Sequence, residues 1–528
     1  MKEILWPKAD STHLTVYPNK MIDLENEIIS RGMPVEALME KVGIKISNWL
    51  MARKDLLRNG VVVVIGPGKN GGDGAVIARE LFLKGVLTKL WIPFAIKNTL
   101  TLKHINYLTF IGVEKLENSP DYRKKDLWID SIFGNNQNRG ISDDIVRLFN
   151  KKYDQHYGCI VSIDIPTGIS PHTGVPFKTE AIKSSITLSV GLKKIGILQD
   201  VAKPFVGEIH HIDIGITKMQ LKNIQPKLLS LSQKDIKKLN LSLPPKNVYK
   251  YKRGRTLLVA GSSRYPGAAI LAVQGALASG AGSVNALLPK FISQYIYHHS
   301  PELLLSGDLD NSNDGNSLMS RNLNELDLDK FDSIMIGPGI GVDLMDWYKS
   351  EDKLKSYKGL LILDADALNR ISLSNSVKQF FIERQADTWI TPHFGEFARL
   401  FPKLDTKNNF EAALDISREF NIGILLKGAN SIIADPANVA WQIYGSDPTS
   451  ARAGLGDLLS GFVAGMSALE LSSGFNIKTY SLAKYALIHS VAGNKCKSGS
   501  TASNIGKKIA KIVKKIKLRE MSCLLSYL

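Results

Sequence analysis

The chain has 528 residues, 44% of them apolar, enough for more than one hydrophobic core and for about two to four domains. A formal net charge of +17 raises the question of nucleic acid. Its densest source is the tail Lys507, Lys508, Lys511, Lys514, Lys515, Lys517, Arg519, where Ile509, Ile512, Val513 and Ile516 recur at helical spacing. That pattern predicts an amphipathic terminal helix with a solvated basic face, and no nucleic-acid partner is expected. The opening segment lacks a signal-peptide core, and its Glu3 and Asp10 argue against a transit peptide. No apolar run is long enough for a bilayer, so no membrane association is expected. Cys159, Cys496 and Cys523 are widely spaced and odd in number, which points away from a disulfide framework and toward a reducing, cytoplasmic setting.

In chain order, Met21 to Trp49 carries two helical stretches, the second beginning near Pro34. Val61 to Ile65, all β-branched, reads as a parallel strand covered on both faces; it runs into Gly66-Pro67-Gly68-Lys69-Asn70-Gly71-Gly72-Asp73-Gly74 and then into a helix. Such a loop at the carboxyl end of a strand suits an anionic ligand. Gly66, Gly68 and Gly71 satisfy G-x-G-x-x-G, yet the next strand-like run, Val86 to Ile92, has Lys89 as its only charge, so the acidic ribose anchor of a dinucleotide fold is missing. Strands at Leu127–Ile129 and Cys159–Ile163 end in Asp130 and in Asp164-Ile165-Pro166-Thr167-Gly168. In an open α/β sheet such ends converge on one crevice, which predicts that Asn70, Asp73, Asp130, Asp164 and Thr167 meet.

Thr217 to Lys252, rich in lysine, serine and proline, marks the expected boundary. The expected domains are 1–218 and 253–528, with 219–252 as linker and entry to the second. The second half repeats the βα rhythm. Thr256–Ala260 leads into Gly261-Ser262 and a small-residue helix, Ala268 to Ser279. Ser306 to Asp329 is polar and reads as a surface excursion. Strands then deliver Gly337-Pro338-Gly339, Asp364-Ala365-Asp366, Thr391-Pro392-His393 and Lys427-Gly428 to their carboxyl ends. Gly454-Leu455-Gly456-Asp457 precedes a long apolar helix. A glycine turn and a helix start beside a carboxylate can hold a transferring phosphoryl group while Asp457 takes a proton. The fold class expected is α/β with two doubly wound domains.

With these motifs assembled, the chain resembles the bifunctional NAD(P)H-hydrate repair enzymes, an epimerase half followed by a dehydratase half. GPGKNGGDG, DSIFG and DIPTG resemble the epimerase motifs. SSRYPGAAILA, GAGSV, GPGIG, DADALN, TPHFGE, LKG and GLGD follow in dehydratase order. The resemblance implies a Rossmann-like three-layer sandwich followed by a ribokinase-like domain. It implies hydrated NADH and NADPH as substrates, with Lys69, Asn70, Gly71, Gly72, Asp73, Gly134 and Asp164 on the epimerase side and Asp164 catalytic. Potassium would be held by Asn70, Asp130 and Thr167. In the dehydratase, Ala268, Gly339, His393 and Asp457 would meet the hydrate, with Asp457 the catalytic base. Lys427, Gly428, Ala429, Asn430, Ser431 and Gly456 would meet ADP, accompanied by magnesium. A homo-oligomer is expected.

The departures from the family pattern are substantial. Lys69 replaces an asparagine, and Asn135-Asn136 replace a Thr-Gly pair, putting a side chain in the expected approach. Leu455 replaces a small hydroxyl residue, removing a hydrogen-bond donor beside the expected phosphates. A ribokinase-like small-molecule kinase and a non-catalytic nucleotide-binding derivative are the competing functional expectations.

Overall fold

The computed structural model describes residues 6–241, 248–374, 377–402, 409–474, 477–496 and 498–525. Pro244-Pro245 lie outside them. The chain divides into two compact units, Met1–Leu229 and Ser230–Leu528. Among the described residues no helix is long and apolar enough to cross a membrane.

The first unit is built on seven parallel strands in the spatial order Glu114–Leu116, Thr88–Trp91, Val61–Ile65, Leu127–Ser131, Ile160–Ile163, Ile186–Val190 and Glu208–Ile212. Every residue of Val61–Ile65 is buried, as a strand covered on both faces requires. Val62 and Val64 join Trp128 and Phe149 in one core layer. Ile65 faces the other way, toward the helix Lys69–Leu83. The result is a Rossmann-like three-layer sandwich. The strand order reverses direction between Val61–Ile65 and Leu127–Ser131, which opens a crevice between the loops that follow them.

The helix after the first strand begins at Lys69, earlier than the apolar periodicity suggests, so Gly71, Gly72 and Gly74 lie inside its first two turns. Glycine is a poor helix former, and packing explains its use here. A Cβ on Gly66 would come within 1.9 Å of the Ile132 carbonyl oxygen, one on Gly71 within 2.1 Å of the Gly66 carbonyl oxygen, and one on Gly74 within 2.1 Å of Ser131 Oγ. These glycines let the helix start press onto two strand ends. Gly68 alone in the loop would meet nothing within 4 Å.

The second unit orders its strands as Ser317–Leu318, Leu304–Asn311, Ser283–Pro289, Arg255–Val259, Ser333–Ile336, Leu360–Leu363, Thr388–Ile390, Gly423–Leu426, Ile432–Asp435 and Val439–Ile443. The seven from Leu304–Asn311 through Gly423–Leu426 are parallel, a doubly wound α/β arrangement. Leu304–Asn311 overlaps the start of Ser306 to Asp329, the stretch expected to be a surface excursion. It is a strand pairing with Ser283–Pro289, and only Leu309 of it is buried, which accounts for its polar sequence. The helices Pro266–Ser279 and Leu455–Ser472 cross at very short range: Cβ atoms on Gly275, Gly461 and Gly465 would lie 2.1, 1.9 and 2.4 Å from the partner helix. The small residues of both helices serve this contact. The terminal helix Ala502–Leu525 buries Ile505, Ile509, Ile512, Val513 and Ile516, as its pattern predicts.

Gly71→Ala should lower the stability of the first unit by about 1–3 kcal/mol through overpacking, while Gly68→Ala should stay within about 0.5 kcal/mol of the parent. Urea titration followed by fluorescence compares the two.

Candidate functional site

In the first unit, Asp130 is fully buried in the strand Leu127–Ser131, paired across the sheet with Val64 and Ser162. Its carboxylate accepts from Thr167 Oγ1 at 2.8 Å, Thr167 N at 2.9 Å, Ser162 Oγ at 2.7 Å and Ile132 N at 3.2 Å. Burial pushes this carboxyl up and those hydrogen bonds pull it down. Thr167 Oγ1 also accepts from Phe133 N at 3.1 Å, which seats the turn carrying Gly134. A Cβ on Gly134 would come 3.3 Å from both Asn70 Oδ1 and Asp164 Oδ2, so glycine there lets the two side chains approach. The Asn70 amide nitrogen is buried without a hydrogen-bond partner.

Asp164 follows the strand Ile160–Ile163 with φ +68°, a left-handed conformation rare outside glycine and worth reading for function. Its Oδ1 accepts from Lys194 Nζ at 2.5 Å and Val190 N at 3.3 Å, and its Oδ2 from Asn135 N at 2.9 Å. Asn135 therefore holds Asp164 through its backbone. Its side chain donates to the Pro18 carbonyl at 3.0 Å.

Asn70, Gly134 and Asp164 line a cavity of about 490 Å³ together with Gly68, exposed Lys69, Asp73 and the rest of the turn Ile132–Arg139, while Asp130 and Thr167 are buried behind it. Burial pushes the Asp73 carboxyl well up, and the Glu25 and Asp164 carboxylates add to the shift while Lys69 opposes it. Gly71 and Gly72, expected at the substrate, are buried in the helix start and packed by protein. Sequence reasoning missed two members. Lys194 is 1% exposed and ion-paired with Asp164, and Glu25 lines the cavity from the helix Pro18–Ser30. The signal for Glu25 was a charge one residue from Leu24 and one turn from Met21, both on the buried face of that helix.

In the second unit the strand ends converge on Lys427. Its Nζ donates to Asp364 Oδ1 at 2.7 Å and would lie 3.3 Å from a Cβ on Gly456, next to Asp457. Asp364 is 1% exposed and caps the helix Ala365–Leu373. Burial pushes Asp457 up to about 6; Asp364, Asp366 and Glu396 add to the shift and Lys427 opposes it. Gly454 caps the helix Leu455–Ser472 with φ +83°, a turn that suits glycine. The half-buried His489, pushed down to about 4 by burial, hydrogen-bonds the Leu455 backbone.

His393 is a helix cap as well as a candidate contact. Its Nδ1 accepts from Gly395 N at 3.0 Å and Glu396 N at 3.4 Å, which leaves the proton on Nε2, while His393 N donates to Glu396 Oε2 at 2.8 Å. Its ring remains 55% exposed, and its segment bridges to Lys427. Gly339, at φ +67°, lies against Ala268, and a Cβ on neighbouring Gly337 would come 1.7 Å from the Asp364 carbonyl oxygen. Gly428–Ser431 forms the turn after Lys427, closed by Gly428 N donating to Ser431 Oγ at 3.3 Å. Sequence reasoning also missed a polar chain beside this cluster: Arg399 donates to Asn369, Asn369 to Asp366, and Gly341 N to Asp366.

Residues 35–196 match the family described as YjeF-related protein N-terminus, and residues 256–515 match NAD(P)H-hydrate dehydratase. A bifunctional NAD(P)H-hydrate repair enzyme of Synechocystis sp. is 33% identical over 85% of this chain and 84% of its own length. The chain belongs to the bifunctional NAD(P)H-hydrate repair enzymes. A relative of the same name from Gloeobacter violaceus is 32% identical over 84% of this chain and 87% of its own. Among solved structures, the ADP/ATP-dependent NAD(P)H-hydrate dehydratase of Bacillus subtilis is 23% identical with a TM-score of 0.43, covering 54% of this chain and 97% of that one.

For a repair enzyme whose dehydratase step uses Asp457 as base, kcat/KM should rise with pH through about 6 and level off above it. Asp364→Asn removes a charge that raises Asp457 and frees Lys427 to lower it, so the rising limb should move to lower pH. Initial rates between pH 5 and 8 measure both.

Proposed function

We propose that the first unit interconverts the R and S hydrates of NADH and NADPH, and that the second dehydrates the S hydrate at the expense of ADP, giving NAD(P)H, AMP and phosphate. The observation that carries this is the pairing of two carboxylate centres with the two family matches: Asp164 at one sheet's strand ends and Asp457 at the other's. The kinase alternative is disfavoured by family membership along most of the chain.

In the first unit the reaction inverts a ring carbon that bears a hydroxyl next to nitrogen. Asp164, oriented by Lys194 and the two backbone donors, is the acid/base group, and Lys69, Asn70, Asp73 and Gly134 border the dinucleotide. Potassium fits Asn70, Asp130 and Thr167. Amide, carboxylate and hydroxyl oxygens suit a hard cation, and a hydrogen bond holds Thr167 Oγ1 against the Asp130 carboxylate. When bound, the cation supplies fixed positive charge at the strand ends.

In the second unit Asp457 takes the proton of the substrate hydroxyl as it accepts a phosphoryl group, and loss of phosphate then restores the ring double bond. Phosphate leaves far more readily than hydroxide. Gly454, Gly456 and the helix start direct N–H groups toward the transferring charge, and Lys427, anchored by Asp364, adds a cation. Gly428, Ala429, Asn430 and Ser431 border the nucleotide; Ala268, Gly339 and His393 border the hydrate. Magnesium takes one or two carboxylates with phosphate and water, and the carboxylates around Lys427 fit that donor set. ADP is the donor that the family resemblance implies. The composition and the cysteine spacing support a cytoplasmic setting.

Incubation with a mixed-epimer NADH hydrate, with and without ADP, should restore the reduced-nicotinamide absorbance for both epimers only when ADP is present. Recovery of the S form alone would mean an inactive first unit, and no recovery would favour the non-catalytic derivative. Asp457→Asn should abolish recovery while leaving epimerisation intact. Replacing potassium by tetramethylammonium should slow epimerisation and leave dehydration of pure S hydrate unchanged, as followed by separating the epimers chromatographically.

A further inference from the structure

The helix Pro18–Ser30 precedes the residues that match the YjeF-related family, yet it forms part of the first unit's cavity. Two contacts hold it. A Cβ on Gly191 would come 2.5 Å from Met21 Cε, so that side chain fills the space glycine leaves at the end of the strand Ile186–Val190. Asn135 Nδ2 ties the Pro18 carbonyl to the turn carrying Gly134. The helix thereby presents Glu25 and Ile29, one turn apart, to the cavity that Lys69, Asn70, Asp73 and Asp164 also line.

Glu25 and Asp164 differ in one decisive respect. Both oxygens of Asp164 are occupied by donors, one of them an ammonium. Among the described residues Glu25 makes no hydrogen bond or ion pair. The charged groups that face it are Lys194, Asp164 and Lys69, with Asp73 alongside. Burial pushes its carboxyl up, Lys194 and Lys69 pull it down, and Asp164 adds to the rise. Inverting a carbon needs proton transfer to the departing oxygen and from the incoming one, and a single saturated carboxylate cannot serve both at once.

We propose that Glu25 is the second proton-transfer residue of this site, working with Asp164. The inference rests on the epimerase reading of the first unit. The C–O bond breaks with its electron pair on oxygen, the Glu25 carboxyl supplies a proton, and water leaves while the nitrogen lone pair forms a C=N bond. Water then adds to the opposite face, forming a new C–O bond as the C=N pair returns to nitrogen, and Asp164 takes the water's proton. One proton has passed from Glu25 to Asp164, and the reverse reaction returns it.

The test uses the full chain without ADP, the R hydrate of NADH as probe, and H₂¹⁸O as solvent. Glu25→Gln should lower the epimerisation kcat about 100-fold with little change in KM, and Glu25→Asp should recover most of that loss because it keeps a carboxyl. The parent should place one ¹⁸O on the ring carbon per inversion. ADP-driven dehydration of S hydrate and the thermal transition check that each variant is folded. Unchanged kcat in a folded Glu25→Gln, loss confined to Asp73→Asn, equal loss in Glu25→Asp, or inversion without ¹⁸O uptake would each overturn the inference. A parent that does not epimerise overturns the epimerase reading and this inference with it.

Discussion

Both units depend on a helix packed at a distance only glycine permits, against strand ends in the first and against a second helix in the second. In the first, Gly66 and Gly71 stack so closely that a Cβ on the second would strike the carbonyl of the first at 2.1 Å. In the second, Gly461 and Gly275 let the Leu455–Ser472 helix sink against Pro266–Ser279. Close approach aligns several free backbone N–H groups with the crevice that the parallel strands open, and the same displacement brings side chains from adjacent strands into range. The glycines act on the ligand indirectly. They fill no binding surface themselves; they set where the binding surface lies.

The second constraint is electrostatic. Each site places a buried aspartate at a strand end and gives it a lysine from a later segment: Asp164 with Lys194, Asp364 with Lys427. Burying one such charge alone is costly, and pairing it with hydrogen-bonded donors makes it tolerable. In the second unit the pair leaves a remainder, because Lys427 is shared between Asp364 and the neighbourhood of Glu396 and Asp457. Burial, reinforced by Asp364, Asp366 and Glu396 and only partly opposed by Lys427, raises Asp457 to about 6, where a carboxylate can accept a proton near neutrality and give it up again.

Much of this was legible in the sequence. Val61–Ile65, Ser333–Ile336 and Leu360–Leu363 are strands at the bounds their apolar runs suggest, because a fully covered parallel strand has little room for polar residues. The convergence of Asp130, Asp164 and Thr167 followed from their common place at strand ends. Leu304–Asn311 was not legible, since a strand with one buried side chain has the composition of a loop. Nor was the helix start at Lys69, where tertiary packing overrides the poor propensity of three glycines. Lys194 and Glu25 were hidden for another reason: each reaches Asp164 or its cavity from a segment distant in sequence, and periodicity carries no information about such encounters.

Lys69 shows how these constraints act together. As the first residue of the helix Lys69–Leu83 it puts a cation at the positive end of the macrodipole, an arrangement that costs about 0.3–1 kcal/mol. The Glu25 and Asp73 carboxyls face it, and each is lowered by its charge, so part of that cost is offset inside the cavity. Its side chain is exposed at the cavity wall. An ammonium and a helix N-terminus on one wall attract the same kind of group, a phosphate. Lysine at this position therefore adds a positive charge to the cavity wall, and the acidic side chains Glu25 and Asp73 offset part of its electrostatic cost.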